Sequence, residues 1–109
     1  MSEYFSYYAG IGRDPTAKYV IEADRVIRYS KDSAFFAFLR PWRHSYEFRL
    51  TPDTKVLNVE IYDGGNGGIT CDFSSDRSAI TGEYVIFIHE RARDFASELE
   101  RRLAAIRRG

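Results

Sequence analysis

One segment of this chain repeats its apolar residues at helical spacing, and it is the last. Ala92, Phe95, Ala96, Leu99, Leu103 and Ile106 recur at three- and four-residue steps, with mostly Arg and Glu between them. That spacing predicts a helix from about residue 90 with one apolar face, which must be buried against something. Everything before it reads as strand and turn. The helix therefore arrives after the sheet is complete and has to cover an open face or end of it.

The strand signals run as follows. Residues 4–9, Tyr-Phe-Ser-Tyr-Tyr-Ala, read as a first strand, and Gly10 to Pro15 as a loop. Over residues 18–30, Tyr19, Ile21, Ala23, Ile27 and Tyr29 fall on one face at a period of two. Asp14 and Pro15 also make a helix N-cap and first-turn pair, but the β-branched residues and two Tyr favour strand, broken by a turn at Glu22–Arg25. Residues 34–39, Ala-Phe-Phe-Ala-Phe-Leu, have strand length, and Pro41 bars their extension as a central strand. Arg40 to Ser45 read as a loop. Tyr46, Phe48 and Leu50 alternate with Glu47 and Arg49, a half-buried strand, and Thr51-Pro-Asp-Thr54 is a turn. Val56–Tyr62 and Ile69–Phe73 are strands joined by the glycine-rich hairpin 63–68, and after a polar loop over 74–81 the last strand is Glu83–Ile88.

The expectation is one α+β domain over residues 1–109. Its strongly curved antiparallel sheet, or partly open barrel, of about seven strands is capped by the C-terminal amphipathic helix. The 16% aromatic content suits a pleated, half-buried surface. Sixteen basic side chains balance sixteen acidic ones, so nucleic-acid affinity of the whole chain is not implied. The balance is uneven. Residues 1–90 carry ten basic and thirteen acidic groups, and residues 91–109 carry six Arg against three acids. One cysteine, Cys71, excludes an intrachain disulfide and suits a reducing cytoplasm. The N-terminal run lacks the basic and apolar regions of a signal peptide, and no apolar run approaches the ~20 residues of a membrane span. A cytoplasmic location is the expectation.

Three stretches carry a family resemblance. Residues 82–103, from Gly82-Glu-Tyr-Val-Ile-Phe through Phe95, Leu99 and Leu103, are similar to the final strand and capping helix of pleckstrin-homology-like domains of the small bacterial kind. Tyr19 to Ser30 resembles the early strand–turn–strand of that family, and Leu57 to Thr70 its middle hairpin. The resemblance implies a scaffold for lipid or protein binding that is rarely catalytic and needs no cofactor. Phosphoinositide-binding members gather Lys and Arg around the first loop and the strand after it. Here that region offers Arg13 and Lys18, beside Asp14, Glu22 and Asp24.

Arg40-Pro41-Trp42-Arg43-His44 is the strongest local candidate for binding. A Trp flanked by Arg on a Pro-stiffened loop suits a protein interface, where Trp and Arg are enriched among anchor residues. The bland alternative folds Trp42 back onto the core. Arg91, Arg101, Arg102, Arg107 and Arg108 form a basic helix face that reads as solvated, or as a contact for an acidic partner or an anionic membrane surface. A weaker resemblance points to ADP-ribosyltransferases, which use NAD. It rests on Glu83 just ahead of a late hydrophobic strand and on an early aromatic strand, Tyr7-Tyr8-Ala9-Gly10, where Tyr8 stands in place of the expected His or Arg. It implies Glu83 as the catalytic residue. Neither His44 nor His89 has metal-ligand spacing around it, and Cys71 reads as a packed strand residue. The expected function is a non-catalytic adaptor that binds a protein partner or a second copy of the chain through Arg40, Trp42, Arg43, His44, Arg13 and Lys18. A small inhibitor or immunity-type protein is the alternative of the same class.

Overall fold

The computed structural model describes residues 3–6, 15–31, 41–73 and 82–109. Four strands, β1 (Glu3–Ser6), β2 (Ala17–Ile21), β3 (Arg25–Ser30) and β4 (Arg43–Arg49), form an antiparallel meander in chain order. A second antiparallel meander follows, β5 (Lys55–Ile61), β6 (Gly67–Asp72) and β7 (Glu83–Ile88), and the chain ends in helix α1 (Ala92–Arg108). The 34–39 segment read as a strand lies outside the described residues.

The expected single curved sheet is in fact two sheets with no closed barrel among the described residues. The break is at the turn after β4. Thr54 is fully buried, its hydroxyl accepts from the Thr51 backbone N–H at 2.9 Å, and its own N–H donates to the Thr51 carbonyl at 3.1 Å. This closed turn directs β5 into a new sheet rather than alongside β4. The sheets meet again at the opposite corner, where the His89 backbone N–H donates to the Phe5 carbonyl at 2.8 Å.

The β2–β3 segment also departs from its period-two reading. The chain reverses at Glu22–Asp24, and Glu22 N donates to the Arg25 carbonyl at 2.9 Å. The pairing Tyr19 with Arg28 and Ile21 with Val26 therefore turns Tyr19 and Ile21 toward the main core cluster and Ile27 and Tyr29 to the opposite face, where Ile27 is nonetheless buried. Arg43–Ser45, read as loop, belong to β4 and pair with the end of β3.

The core fills the space between the sheets and under the helix. Phe48, Phe73 and Phe95 are fully buried, with Phe48 stacked on Phe73 at 4.2 Å between ring centroids. Phe95 of α1 meets Tyr4 edge-on at 5.1 Å, and Leu99 and Leu103 follow it into the core. The helical stripe read from the sequence is thus the buried one, with Ile106 half-buried at its end. Cys71 is buried in β6, and burial pushes its thiol up to about 12, with Glu100 adding to the shift.

One inward row is polar. Tyr19, Arg28 and Tyr46 are register partners across β2, β3 and β4. Tyr84 of β7 completes the group, its hydroxyl hydrogen-bonded to that of Tyr46 and 3.4 Å from that of Tyr19. The Arg28 guanidinium lies 5.3 Å from the Tyr46 ring centroid and donates to Ser45 Oγ at 3.1 Å, while its buried Nε has no partner. Burial, with the Tyr84 hydroxyl, pushes the Tyr46 phenol up to about 12.

Candidate binding surface

The outer face of the first sheet carries a row that crosses all four strands. Pairing places Phe5 beside Lys18, Lys18 beside Tyr29, and Tyr29 beside His44. Side chains directly opposite one another in an antiparallel pair share a face, so these four stand together. Trp42, just before β4, is half-buried against this row. Its ring is 6.2 Å from that of Phe5. Lys18 Nζ lies 4.9 Å and Lys31 Nζ 4.6 Å from the Trp42 centroid, both within cation–π range.

Lys18 is the centre of the group. It also lies 5.3 Å from the Tyr29 centroid and pairs with Glu3 at 3.1 Å, with only 13% of its side chain exposed. Two aromatic faces and one carboxylate thus hold a single ammonium in place. Beside it opens a cleft of about 640 Å³ lined by Glu3, Phe5, Lys18, Val20, Glu22, Tyr29 and Arg91. Arg91 is fixed there by Asp94 at 3.3 Å, by the Glu3 carbonyl at 3.4 Å and by the face of the Tyr4 ring at 4.7 Å. Its lining mixes the apolar Phe5, Val20 and Tyr29 with the charged Glu3, Glu22, Lys18 and Arg91, and Glu3 is paired with Lys18.

Comparison with known proteins adds no name to this surface. No protein-family model matches the chain, and neither the curated proteins nor the solved structures give a match.

The structure brings together two of the candidates singled out in the sequence, Trp42 and Lys18, and links His44 to them through Tyr29 at 6.0 Å. Trp42 does not fold into the core. Arg43 is exposed at the first position of β4, paired with Ser30. Arg13, Arg40 and Tyr8 lie outside the described residues. Glu83 is exposed at the start of β7, opposite Asp72 and on the other sheet from the cleft. Among the described residues no three His, Cys, Asp or Glu side chains gather as a metal-ligand set. Sequence reasoning passed over Phe5, Tyr29 and Lys31 as site residues, and placed Arg91 on the basic helix face rather than at this cleft. Phe5 and Tyr29 were legible as outward residues only once the strand register was known.

The basic helix face is partly committed as well. Arg91 closes the cleft, and Arg107 donates to the Pro52 and Thr54 carbonyls at 3.1 and 2.6 Å. Arg101, Arg102 and Arg108 remain on the exposed face. No described helix is long and apolar enough to cross a membrane.

Proposed function

We propose that this chain is a non-catalytic binding domain of pleckstrin-homology-like architecture, and that it recognises a protein partner through the outer face of its first sheet. The observation that carries the reading is the Trp42 ring, seated on Phe5 with Lys18 and Lys31 over it. A large, rigid aromatic held half-exposed beside a cleft of mixed lining is the kind of anchor that concentrates binding energy at protein interfaces. The mixed charge of Glu3, Glu22, Lys18 and Arg91 favours a protein surface over clustered phosphates. The order of a four-stranded meander, a three-stranded meander and a terminal helix supports the architecture.

Trp42 is the only tryptophan, so its emission reports on this surface directly. A partner captured on the immobilised chain and then purified is expected to shift Trp42 emission on titration. Trp42→Ala is expected to abolish capture while far-ultraviolet dichroism stays native. Equal capture by native protein and by folded Trp42→Ala overturns the assignment of this face.

A further inference from the structure

The large exposed hydrophobic residues of the described chain are confined to one sheet. Leu57, Val59, Tyr62, Val85 and Phe87 all belong to β5, β7 or the turn after β5, and Phe87 is 58% exposed. Apolar exposure grouped in this way marks an interaction surface more often than scattered single residues do. Among the described residues β5 is the edge of its sheet, with β6 as its one hydrogen-bonded strand neighbour. An edge strand presents unpaired backbone groups to any chain able to match its register.

The register of β5 is unusual. Val56 is opposite Cys71, Val59 opposite Ile69 and Ile61 opposite Gly67, rows that continue into the buried side of the sheet, although Val59 itself, on the edge strand, is 40% exposed. Lys55, Asn58 and Glu60 are opposite Asp72, Thr70 and Gly68, on the outer side. The pairing shifts between Val56 and Asn58, and the extra residue, Leu57, 46% exposed next to a half-buried Val56, is read on the outer side with Asn58. From Lys55 to Glu60 the side chains therefore point out, in, out, out, in, out. That pattern reads the same in both directions, which strict alternation over six residues never does.

Among two-fold axes at the middle of the strand, this symmetry selects one. Opposed residues in an antiparallel pair must share a face. A two-fold axis through Asn58 would oppose Leu57 to Val59 and Val56 to Glu60, on different faces. An axis through Leu57 would oppose Val56 to Asn58, again mismatched. An axis between Leu57 and Asn58 opposes Lys55 to Glu60, Val56 to Val59 and Leu57 to Asn58, and every pair shares a face. It also sets a lysine against a glutamate at both ends of the contact.

We propose that β5 pairs antiparallel with β5 of a second copy of this chain about an axis between Leu57 and Asn58, joining two three-stranded sheets into one of six strands. A lysine on an edge usually deters strand addition. Here Glu60 of the second copy receives it. The outer row Phe87, Gly68, Glu60 then continues into Lys55, Asp72 and Glu83 of the second copy. A contact of this length lies at the small end of specific interfaces, so the dimer is concentration-dependent. The surface is on the other sheet from Trp42, and the proposal stands independently of what Trp42 binds.

Sedimentation velocity over a concentration series, extending to roughly millimolar chain, tests it. Native protein is expected to pass from monomer to dimer. Lys55→Glu opposes two glutamates and Glu60→Lys two lysines, and each is expected to weaken the dimer roughly tenfold. The combined Lys55→Glu/Glu60→Lys chain restores opposite charges and is expected to regain the native dimer. Glu60 accepts hydrogen bonds from Asn58 and from Tyr62 in its own chain, which Glu60→Lys removes, so recovery in the double variant separates pairing from local damage. A native chain that stays monomeric, a dimer indifferent to both single changes, or a double variant without recovery overturns the proposal.

Discussion

Arg107, in the last turn of α1, donates from Nη2 to the Thr54 carbonyl at 2.6 Å and from Nε to the Pro52 carbonyl at 3.1 Å. The end of the helix is thereby tied to the turn at which the chain leaves one sheet and begins the other. The basic residues of the last turn do more than complement the helix dipole, because one of them satisfies two carbonyls of a turn built around a fully buried threonine.

Arg107→Ala is expected to cost about 1 kcal/mol, since the fork bonds two carbonyls while remaining partly open to water. Arg107→Lys keeps the charge, loses the planar fork, and is expected to recover less than half of that. Arg108→Ala, in the same turn, is expected to fall within about 0.5 kcal/mol of native. Urea unfolding of the three variants provides the check. Equal losses for Arg107→Ala and Arg108→Ala would reduce the tie to a general charge effect.

The glycines of the β5–β6 turn differ in what surrounds them. Gly64 and Gly65 have φ angles of 83° and 86°, both in the left-handed region. A Cβ on Gly64 would meet open space, whereas one on Gly65 would run into the Glu90 carbonyl. Gly64→Ala is expected to cost about 1–2 kcal/mol from backbone strain alone. Gly65→Ala is expected to cost clearly more, because the Glu90 backbone that leads into α1 must move as well. Similar unfolding midpoints for the two variants would mean that this turn does not seat the helix.

Cys71 makes stability sensitive to alkali. Burial raises the folded thiol from 9.0 to about 12, so the unfolded chain releases this proton first. The stabilisation is complete below pH ~9 and is lost as pH rises toward ~12. Native protein is therefore expected to lose more stability between about pH 8 and about pH 11 than Cys71→Ala does. Lysines and tyrosines also titrate there, and the comparison of the two chains cancels most of their effect. Parallel pH profiles would place the thiol in contact with water.

Much of the chain's layout was legible in its residues. The stripe Ala92, Phe95, Leu99, Leu103 could only be a buried helix face, and it is. Thr51–Thr54 and the glycine run after Ile61 were legible as turns because Pro and Gly restrict or free the backbone locally. Strands β5, β6 and β7 followed from alternation and turn chemistry.

Where each alternating residue points was a different matter. Tyr19 and Tyr29 share a period-two frame in the sequence, yet the reversal at Glu22–Asp24 sends them to opposite faces. The extra residue at Leu57 has no local signature, because a register shift is a property of two paired strands. Arg28, which no local pattern singled out, lies among Tyr19, Tyr46 and Tyr84, contributed by three other strands.

The sequence by itself determined the terminal helix, the turns at 51–54 and 63–68 and most of the described strands, since propensity and periodicity act over a few neighbouring residues. Only the tertiary structure decided that the strands divide into two sheets, that Lys18 sits on Trp42, and that β5 carries a self-complementary face pattern. Those outcomes depend on which strands pair and in what register. Hydrogen bonds between distant parts of the chain settle that, and no short stretch of residues encodes it alone.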